Sequence, residues 1–460
     1  MNDPSARATS RLWRARVAPD NLLARVFLNA GILVGGKGVS GLLSLAYIAL
    51  AVRTLGVETF GILLLVHTYA QAVGGITKFQ SWQAILRYGT PALQNGRTGE
   101  FQSLIKFTGL LDIASGIGGA LLAALGCGFA APLLGWPAEI VPMAMLYCAS
   151  IVFMGTETPT GLLRLFDRFD LLATQSAVAS FTRLLGSAVL FTVGGTLTDF
   201  LILWFISIVC AGATRIGFAW RETARRGLFQ GLTLSWRGLT APFAGIWRFV
   251  WTTNLNTSAA MLSTHLPTLL VGGLLGATEA ALYRIARQLA QALIKPTKLL
   301  VPAIYPELAR LAAAGSVERI RHLVGRSLMV SGIGAVVCFA VIWLFGEQLL
   351  RLIAGEEAAP AALLMVLLGA AALITLAAFP LEPLLMSVGL EGTALRARLV
   401  SILLYLPIII VLVRVSGLTG AGLAAIAAAL LILIGQAIPA IRWLMHHSRK
   451  KSGRADTGLE

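Results

Sequence analysis

The chain has 460 residues, of which 57% are hydrophobic and only 13% are charged, which is too little polar surface for a water-soluble protein of this length. Apolar runs of about 20 residues recur along it, and each is long enough to cross the hydrocarbon core of a bilayer as a helix. The formal net charge of +16 lies mainly in short loops between these runs, so it indicates membrane orientation and excludes a nucleic-acid-binding protein.

These runs predict an all-α polytopic membrane protein with about twelve transmembrane helices. The expected spans are 26–52, 58–80, 103–126, 139–160, 171–195, 199–219, 248–272, 279–300, 325–346, 360–387, 397–415 and 420–444. Strands are not expected, because the segments of membrane barrels alternate in polarity and are only about 10 residues long. The four cysteines lie inside apolar runs and predict no disulfide framework.

Basic residues alternate between successive loops. One side of the membrane receives most of the arginines and the tail "RKKSGR", whereas the short loops of the other side hold only Arg53, Arg351 and Arg414. Because positive loops stay in the cytoplasm, both termini are expected to be cytoplasmic. The N-terminus lacks a short apolar core with a small-residue cleavage site, so no removable signal peptide is expected.

The longest polar connection, 221–246, divides the spans into six and six. The expected organisation is a cytoplasmic segment 1–25, a six-helix lobe 26–220, a cytoplasmic linker 221–246, a second six-helix lobe 247–444 and a basic tail 445–460. Two roles are compatible with the linker: it is either a tether between the lobes or a regulatory segment. Its Trp236 and the adjoining Trp247 are placed to lie at headgroup level.

The two halves are weakly similar. An offset of 220 residues aligns "LGVETFGILLLVHTYAQAV" (55–73) with "LGATEAALYRIARQLAQAL" (275–293) and places Lys78 on Lys298. Because each half has an even number of spans, the copies have the same orientation, which makes this a parallel internal repeat. The repeat predicts two six-helix bundles that face one another across a central cavity, where transporters place their substrate.

A polar stripe runs along the predicted eighth span. At about 100° per residue, the stripe collects Arg284, Arg287, Gln288, Gln291, Lys295 and Lys298. The aligned second span carries His67, Thr68, Gln71, Gly75 and Lys78. A cation at mid-bilayer costs about 2.5–3.5 kcal/mol on the insertion scale, so the stripe is expected to line water or a ligand. For Lys295 and Lys298, snorkelling to nearby headgroups is an equal alternative.

Cations outnumber acids within the other spans as well. Lys37 lies on a small, polar face of the first span, and further cations are Lys106, Arg183, Arg215 and Arg248. The acids well inside spans are Asp112, Glu157 and Glu382, for each of which a structural ion pair is the alternative to a functional role. The surplus predicts an electropositive cavity and an anionic substrate such as a phosphate or diphosphate. In the seventh span, "NLNTSAAMLSTHLPT" (254–268) suits either sugar binding or hydrogen bonding between helices.

Four stretches carry a family resemblance. They are "LGVETFGILLLVHTYAQ" (55–71), "FQSWQAILRYG" (79–89), "PTGLLRLFDRFDLLA" (159–173) and "VPAIYPELARL" (301–311). With them, the whole chain resembles the polysaccharide-unit flippases, of the O-antigen translocase type, in the multidrug/oligosaccharidyl-lipid/polysaccharide exporter (MOP) superfamily. The resemblance implies a MATE-like fold in the plasma (cell inner) membrane. It also implies alternating access through a basic cavity that spans one, two, seven and eight form.

Such a protein is expected to move an undecaprenyl-diphosphate-linked oligosaccharide between leaflets during O-antigen, lipopolysaccharide or exopolysaccharide synthesis. Its expected partners are the lipid-linked oligosaccharide, membrane lipid, and the polysaccharide polymerase and glycosyltransferases of the same pathway. No cofactor or metal is expected. Coupling to H⁺ or Na⁺ is expected to need an intramembrane carboxylate or histidine, for which the candidates are Asp112, Glu157 and His265.

Two other functional classes compete with this interpretation. The first is an ion-coupled exporter of another anionic or drug-like small molecule, which would need no opening for a lipid tail. The second is a membrane-embedded sugar polymerase or glycosyltransferase. The short outward loops, and the lack of a P-loop lysine motif, an HExxH motif or a metal-ligand cluster, favour a transporter over an enzyme.

Overall fold

The computed structural model describes residues 22–232, 235–294, 308, 310, 311 and 316–455. These described residues form helices joined by short turns, with no β-strand among them. By contacts they divide into two compact units, one ending at Leu269 and the other beginning at Leu270. The unit boundary therefore falls inside a helix, Ile246–Leu275, most of which belongs to the first unit.

Eleven α-helices precede the turn at Gly276. They are α1 (Leu22–Leu55), α2 (Val57–Thr77), α3 (Ser81–Ala84), α4 (Thr90–Gln94), α5 (Thr98–Leu133), α6 (Val141–Cys148), α7 (Ile151–Met154), α8 (Glu157–Leu165), α9 (Phe169–Val193), α10 (Leu197–Arg225) and α11 (Ile246–Leu275). A π-helical turn, Ile85–Gly89, joins α3 to α4, and a 3-10 turn, Ala138–Ile140, precedes α6.

Five further α-helices follow in the described residues. They are α12 (Ala277–Ile294), α13 (Val317–Ala354), α14 (Ala362–Ala377), α15 (Leu381–Ser387) and α16 (Glu391–Ala455), with a 3-10 turn at Glu356–Ala361. Gly417 interrupts α16 with a φ of 56°, a left-handed value that glycine adopts without a steric penalty. The break separates two helical segments that match the predicted spans 397–415 and 420–444.

The predicted spans all coincide with helical segments, although residues 295–300 at the end of the eighth lie outside the described residues. In the described part of the chain, eight helices are long and apolar enough to cross a membrane. A ninth results if Ala138–Cys148 and Ile151–Leu165, which meet at a bend of 40°, form one broken span. The fold is thus the predicted all-helical, multi-pass membrane architecture.

The repeat is visible in a backbone detail. Gly56 separates α1 from α2 with a φ of 78°, and Gly276, 220 positions later, separates α11 from α12 with a φ of 117°. Both values lie in a region that residues with a Cβ rarely adopt. At both aligned Leu-Gly pairs, the glycine therefore separates two helices with a positive φ.

Small residues bring helices of the first unit close together. A Cβ added to Gly36 of α1 would lie 2.8 Å from Ala173 Cβ of α9, and the hydroxyls of Ser40 and Ser180 are 2.7 Å apart on the same pair of helices. In α8, a Cβ on Gly161 would lie 2.8 Å from the Cα of Trp82. Such contacts let backbones approach within a membrane, where packing contributes much of helix association.

The connection after α10 packs on the first unit. The Gln102 side-chain amide donates to the carbonyls of Leu228 and Gln230 at 3.0 and 2.8 Å. Lys106 Nζ donates to the carbonyl of Ser235 at 2.9 Å. Several apolar residues of the connection are also buried against α3, α5 and α8: Leu228, Leu239, Phe243 and Ile246. The described part of 226–246 therefore packs as an integral part of that unit, while its cytoplasmic location stays a prediction.

Candidate functional site

The α12 helix has one buried apolar side and one partly exposed polar side. Tyr283, Ala286 and Leu289 are buried, with exposed fractions of 0–4%. Arg284, Arg287 and Gln288 are half-buried and Gln291 is exposed. The exposure of these side chains follows the predicted helical stripe, so the two guanidinium groups share a face that the unit's own core does not cover.

The Arg287 side chain lies beside a tyrosine pair. Tyr405 of α16 forms a hydrogen bond with Tyr283, and its hydroxyl lies within electrostatic range of the Arg287 guanidinium. A phenol carries no formal charge at neutral pH, so this neighbour does not neutralise the guanidinium. Arg287 therefore lies on the side of α12 that is near Tyr405 of α16.

Three predicted site residues cannot be placed. Lys295 and Lys298 lie outside the described residues, and so does the side chain of Lys37 in α1. The predicted contribution of these lysines to an anion site stays a prediction.

The aligned polar face of α2 is more buried than the polar face of α12. His67 is 6% exposed, and its Nδ1 lies 2.7 Å from the Tyr147 hydroxyl of α6. Thr68 is buried, Gln71 is half-buried, and a Cβ on Gly75 would lie 3.1 Å from the Met261 side chain of α11. This stripe thus points into the first unit and against α11.

Lys78, which caps the C-terminus of α2, belongs to an ionic cluster. Its Nζ lies 2.9 Å from Glu157 Oε1, at the start of α8. Glu157 also interacts electrostatically with Arg164 and with Arg215. For Glu157, the structure shows the ion pair that was the alternative to a functional role.

Asp112 joins the same cluster from α5. It accepts a hydrogen bond of 2.5 Å from the Ser81 hydroxyl and one of 2.6 Å from the Thr158 backbone N–H. Asp112 also interacts electrostatically with Glu157. Two of the three coupling candidates therefore lie together, whereas the third, His265, is buried on α11.

The polar residues at the start of the predicted seventh span serve packing. Asn254 Nδ2 donates to the carbonyl of Lys78 at 2.9 Å. The Ser258 hydroxyl lies 3.1 Å from both the Ile76 carbonyl and Asn254 Oδ1. These bonds join α11 to the end of α2. Asn254 and Ser258 therefore make hydrogen bonds between helices, which was the alternative to sugar binding.

An arginine cluster lies at the C-terminal end of α10. Glu222 pairs with Arg168, Arg225 and Arg226, and Arg168 also pairs with Asp170 at 2.7 Å. The hydrogen bond to Asp170 raises the pKa of Arg168 above its ordinary value. The sequence "DRFD" (167–170) is thus an ion-paired turn, and Asp167 adopts a φ of 59° in it.

Sequence reasoning missed the surroundings of Arg183. This buried residue of α9 donates from Nε to the Ser207 hydroxyl at 2.8 Å and from Nη1 to the Tyr47 hydroxyl at 3.3 Å. Its guanidinium lies 4.4 Å from the Trp204 ring centroid. The partners are distant in sequence and uncharged, so no charge pattern could have paired them with Arg183.

Comparison with known proteins identifies the family. The family described as polysaccharide biosynthesis protein matches residues 26–312, which is more than half of the chain. The chain belongs to this polysaccharide biosynthesis protein family. The MatE family matches residues 255–413. Inner membrane protein YghQ of Escherichia coli (strain K12) is 34% identical over 342 residues, which cover 74% of this chain and 95% of that protein.

Solved structures of transporters share the fold of this family member. An inward-facing multidrug resistance MATE family transporter of the MOP superfamily is 14% identical, with a TM-score of 0.71 over 92% of this chain and 96% of the other. The Vibrio cholerae MATE transporter VcmN in its bent form is 17% identical, with a TM-score of 0.54 over 97% and 99% of the two chains. Together with the family matches, this fold confirms a MOP-superfamily transporter of the plasma membrane and not an enzyme.

Proposed function

We propose that the protein moves an undecaprenyl-diphosphate-linked oligosaccharide from the cytoplasmic to the periplasmic leaflet by alternating access. The observation that carries the proposal is the Arg284–Arg287 face of α12, in a member of a polysaccharide biosynthesis family. In this proposal the oligosaccharide is carried on a lipid through a diphosphate, which is strongly negatively charged. A helix face with two guanidinium groups supplies the matching chemistry.

The spacing of the two arginines supports a phosphate contact. Residues three positions apart on a helix lie about 5–6 Å apart at Cβ, so both guanidinium groups can reach one diphosphate. Arginine binds phosphate oxygens through two parallel hydrogen bonds, which fixes orientation as well as charge. Gln288 and Gln291, on the same face, offer amides that can donate to and accept from sugar hydroxyls.

The first unit is proposed to couple transport to a gradient of H⁺ or Na⁺. Asp112 and Glu157 lie together among Lys78, Arg164 and Arg215, so a change of protonation or a bound Na⁺ there would alter several ion pairs at once. His265 remains a separate candidate on α11. The role in O-antigen or exopolysaccharide synthesis, and the partnership with a polymerase and glycosyltransferases, belong to the same proposal.

Reconstituted vesicles test the proposal directly. Purified protein is placed in liposomes that contain undecaprenyl diphosphate bearing a fluorescently labelled oligosaccharide, and dithionite added outside bleaches the label in the outer leaflet. We expect wild-type protein to make nearly all of the label accessible, against about half in empty vesicles. If half of the label stays protected in both preparations, this lipid-linked oligosaccharide is not the substrate.

Variants connect transport to the α12 face. We expect Arg287→Ala, and separately Arg284→Ala, to slow flipping about tenfold or more, because a hydrogen bond to a charged group contributes about 1.5–3 kcal/mol. Arg319→Ala is the matched control, since Arg319 is exposed on α13 in the same unit. Wild-type rates in both α12 variants would remove this face from the substrate site.

The MatE match and the MATE-like fold favour one second candidate, an exporter of a drug-like or anionic small molecule. The same vesicles decide between the two candidates. Gradient-driven movement of a labelled drug, together with a protected lipid-linked label, would select the exporter.

A further inference from the structure

A positive charge is buried at mid-depth in the first unit. Arg183 is 8% exposed and lies ten residues before the end of α9, about 15 Å along the helix. That is half of the roughly 30 Å hydrocarbon thickness. Ionisable side chains at this depth are costly, and they normally face a partner that compensates the charge.

The described residues provide Arg183 with neutral partners alone. Its hydrogen bonds go to the Ser207 and Tyr47 hydroxyls, and its flat face contacts the Trp204 ring. Among the described residues, Arg183 forms no ion pair, and the paired acids Glu157 and Glu222 of the first unit contact other cations. A guanidinium does not lose its proton in a protein, so the charge must be balanced from outside the side chains described.

Two further hydrogen-bond donors near Arg183 have no acceptor among the described residues. Trp204 Nε1 and the Ser187 hydroxyl are buried, at 2% and 0% exposure of their residues, without a hydrogen-bond partner in the described structure. Ser187 lies one helical turn beyond Arg183 on the same face of α9. The Trp204 ring lies under the guanidinium. A buried polar group without a partner costs about 1–3 kcal/mol, which a ligand with acceptor capacity would recover.

Aromatic rings also lie around the Arg183 guanidinium and the Trp204 ring that it contacts. The Trp204 ring meets Tyr47 at 6.1 Å and His67 at 4.9 Å between centroids, in both cases edge-on. The edge of an aromatic ring is electropositive, so it tolerates an anion far better than a cation. One guanidinium, hydroxyl and indole donors, and ring edges together make a site for a small, singly charged, weakly hydrated anion.

We propose that Arg183, with Tyr47, Ser187 and Trp204, binds a halide-sized inorganic anion within the first unit. One negative charge balances the one buried cation, and the anion accepts hydrogen bonds from the unused donors. A diphosphate carries several charges and does not match a single cation, so this site is distinct from the α12 face. The inference does not depend on which substrate the protein carries.

Halide binding to the purified full-length protein is the test. Thermal unfolding is measured in detergent micelles at constant ionic strength, with sodium gluconate replaced stepwise by sodium chloride or bromide. We expect the halides to raise the Tm of the wild-type protein along a saturating curve, because a ligand that binds only the folded state stabilises it by mass action. Equal Tm values in gluconate and halide would overturn the proposal.

Iodide quenching of tryptophan fluorescence locates the site. We expect a saturable component, superimposed on the linear collisional quenching of exposed tryptophans, in wild type and in the exposed-cation control Arg248→Gln. It should be lost in Arg183→Gln and in Trp204→Phe. A saturable component that persists in Arg183→Gln would show binding elsewhere and refute the assignment.

Two milder variants keep the test decisive if Arg183→Gln does not fold. Arg183→Lys keeps the charge and is expected to keep the halide-dependent rise in Tm, whereas Tyr47→Phe removes one hydroxyl and should shift the saturation to higher halide concentration. If Arg183→Gln does not fold, an unchanged saturation curve in Tyr47→Phe overturns the proposal instead.

Discussion

The Lys78 ammonium and the Glu157 carboxylate lie 2.9 Å apart and connect the C-terminus of α2 to the N-terminus of α8. Their side chains are only 19% and 11% exposed, so the pair is largely removed from water. Asn254 of α11 binds the backbone carbonyl of Lys78, which brings a third helix to the same point. The pair therefore stabilises a junction of three helices.

Glu157→Gln is expected to destabilise the protein more than Lys78→Met. Glu157 lies near Lys78, Arg164 and Arg215, so its loss leaves three cations without their shared acid, whereas Glu157 keeps two cations when Lys78 is replaced. We expect Lys78→Met to cost about 1–3 kcal/mol. Thermal unfolding followed with a thiol-reactive dye measures this, because the chain has four free cysteines. The reverse order of the two variants would contradict the cluster, and a double variant would measure the coupling.

Asp112→Ala is expected to destabilise the protein by about 1–3 kcal/mol, because it leaves the Ser81 hydroxyl and the Thr158 N–H without their acceptor. Asp112→Asn keeps one acceptor oxygen and should cost less. The same unfolding assay compares the two variants. Both variants remove the negative charge, so they differ in hydrogen-bonding capacity; if Asp112→Asn were the less stable of the two, a stabilising role of these two hydrogen bonds would be contradicted.

Gly161→Ala is expected to destabilise the protein by about 1–3 kcal/mol through overpacking. The added methyl group would lie 2.8 Å from both the Trp82 Cα and the Ile85 Cβ, neither of which can rotate away. Gly109→Ala is the matched control, since nothing lies within 4 Å of a Cβ at that helical position. Alanine should instead stabilise α5 there by about 0.5–1 kcal/mol. Equal Tm values for the two variants would contradict close contact between α8 and α3.

Gln102→Ala is expected to loosen the connection after α10. It removes two hydrogen bonds, to Leu228 and Gln230, which should lower the local opening free energy by about 1–2 kcal/mol. Trypsin cleavage between Arg225 and Arg237 should then accelerate about 5–30-fold. Ser103→Ala serves as the control, because the exposed Ser103 hydroxyl bonds only within α5. Identical digestion of both variants would mean that the apolar contacts and the Lys106–Ser235 hydrogen bond hold the segment without Gln102.

The helices could be predicted from the sequence because length and hydropathy determine what crosses a bilayer. The polar face of α12 could be predicted too, since helical periodicity alone decides which residues share a face. The same periodicity placed His67 and Thr68 on one face of α2 but could not show that this face meets Tyr147 and Trp204. Those contacts depend on tertiary packing between segments 80 or more residues apart.

The sequence also could not predict which charged residues form ion pairs with one another. The sequence showed too few acids for its cations, yet it could not show which cations the acids serve. In the structure Glu157 pairs with Lys78, 79 positions earlier, while Arg183 packs against neutral groups. The electropositive cavity inferred from the cation excess stays a prediction, because the sequence could not locate the cations relative to the acids.

The different placement of the two aligned polar faces has an evolutionary consequence. His67 of α2 is enclosed by partners from its own unit, so a change there requires a compensating change in Tyr147 or Trp204. Arg284 and Arg287 of α12 are only half-buried, on the more exposed side of their helix. Among relatives that have diverged to carry different cargo, we expect substitutions to accumulate on the second copy of the duplicated helix while the first stays nearly fixed.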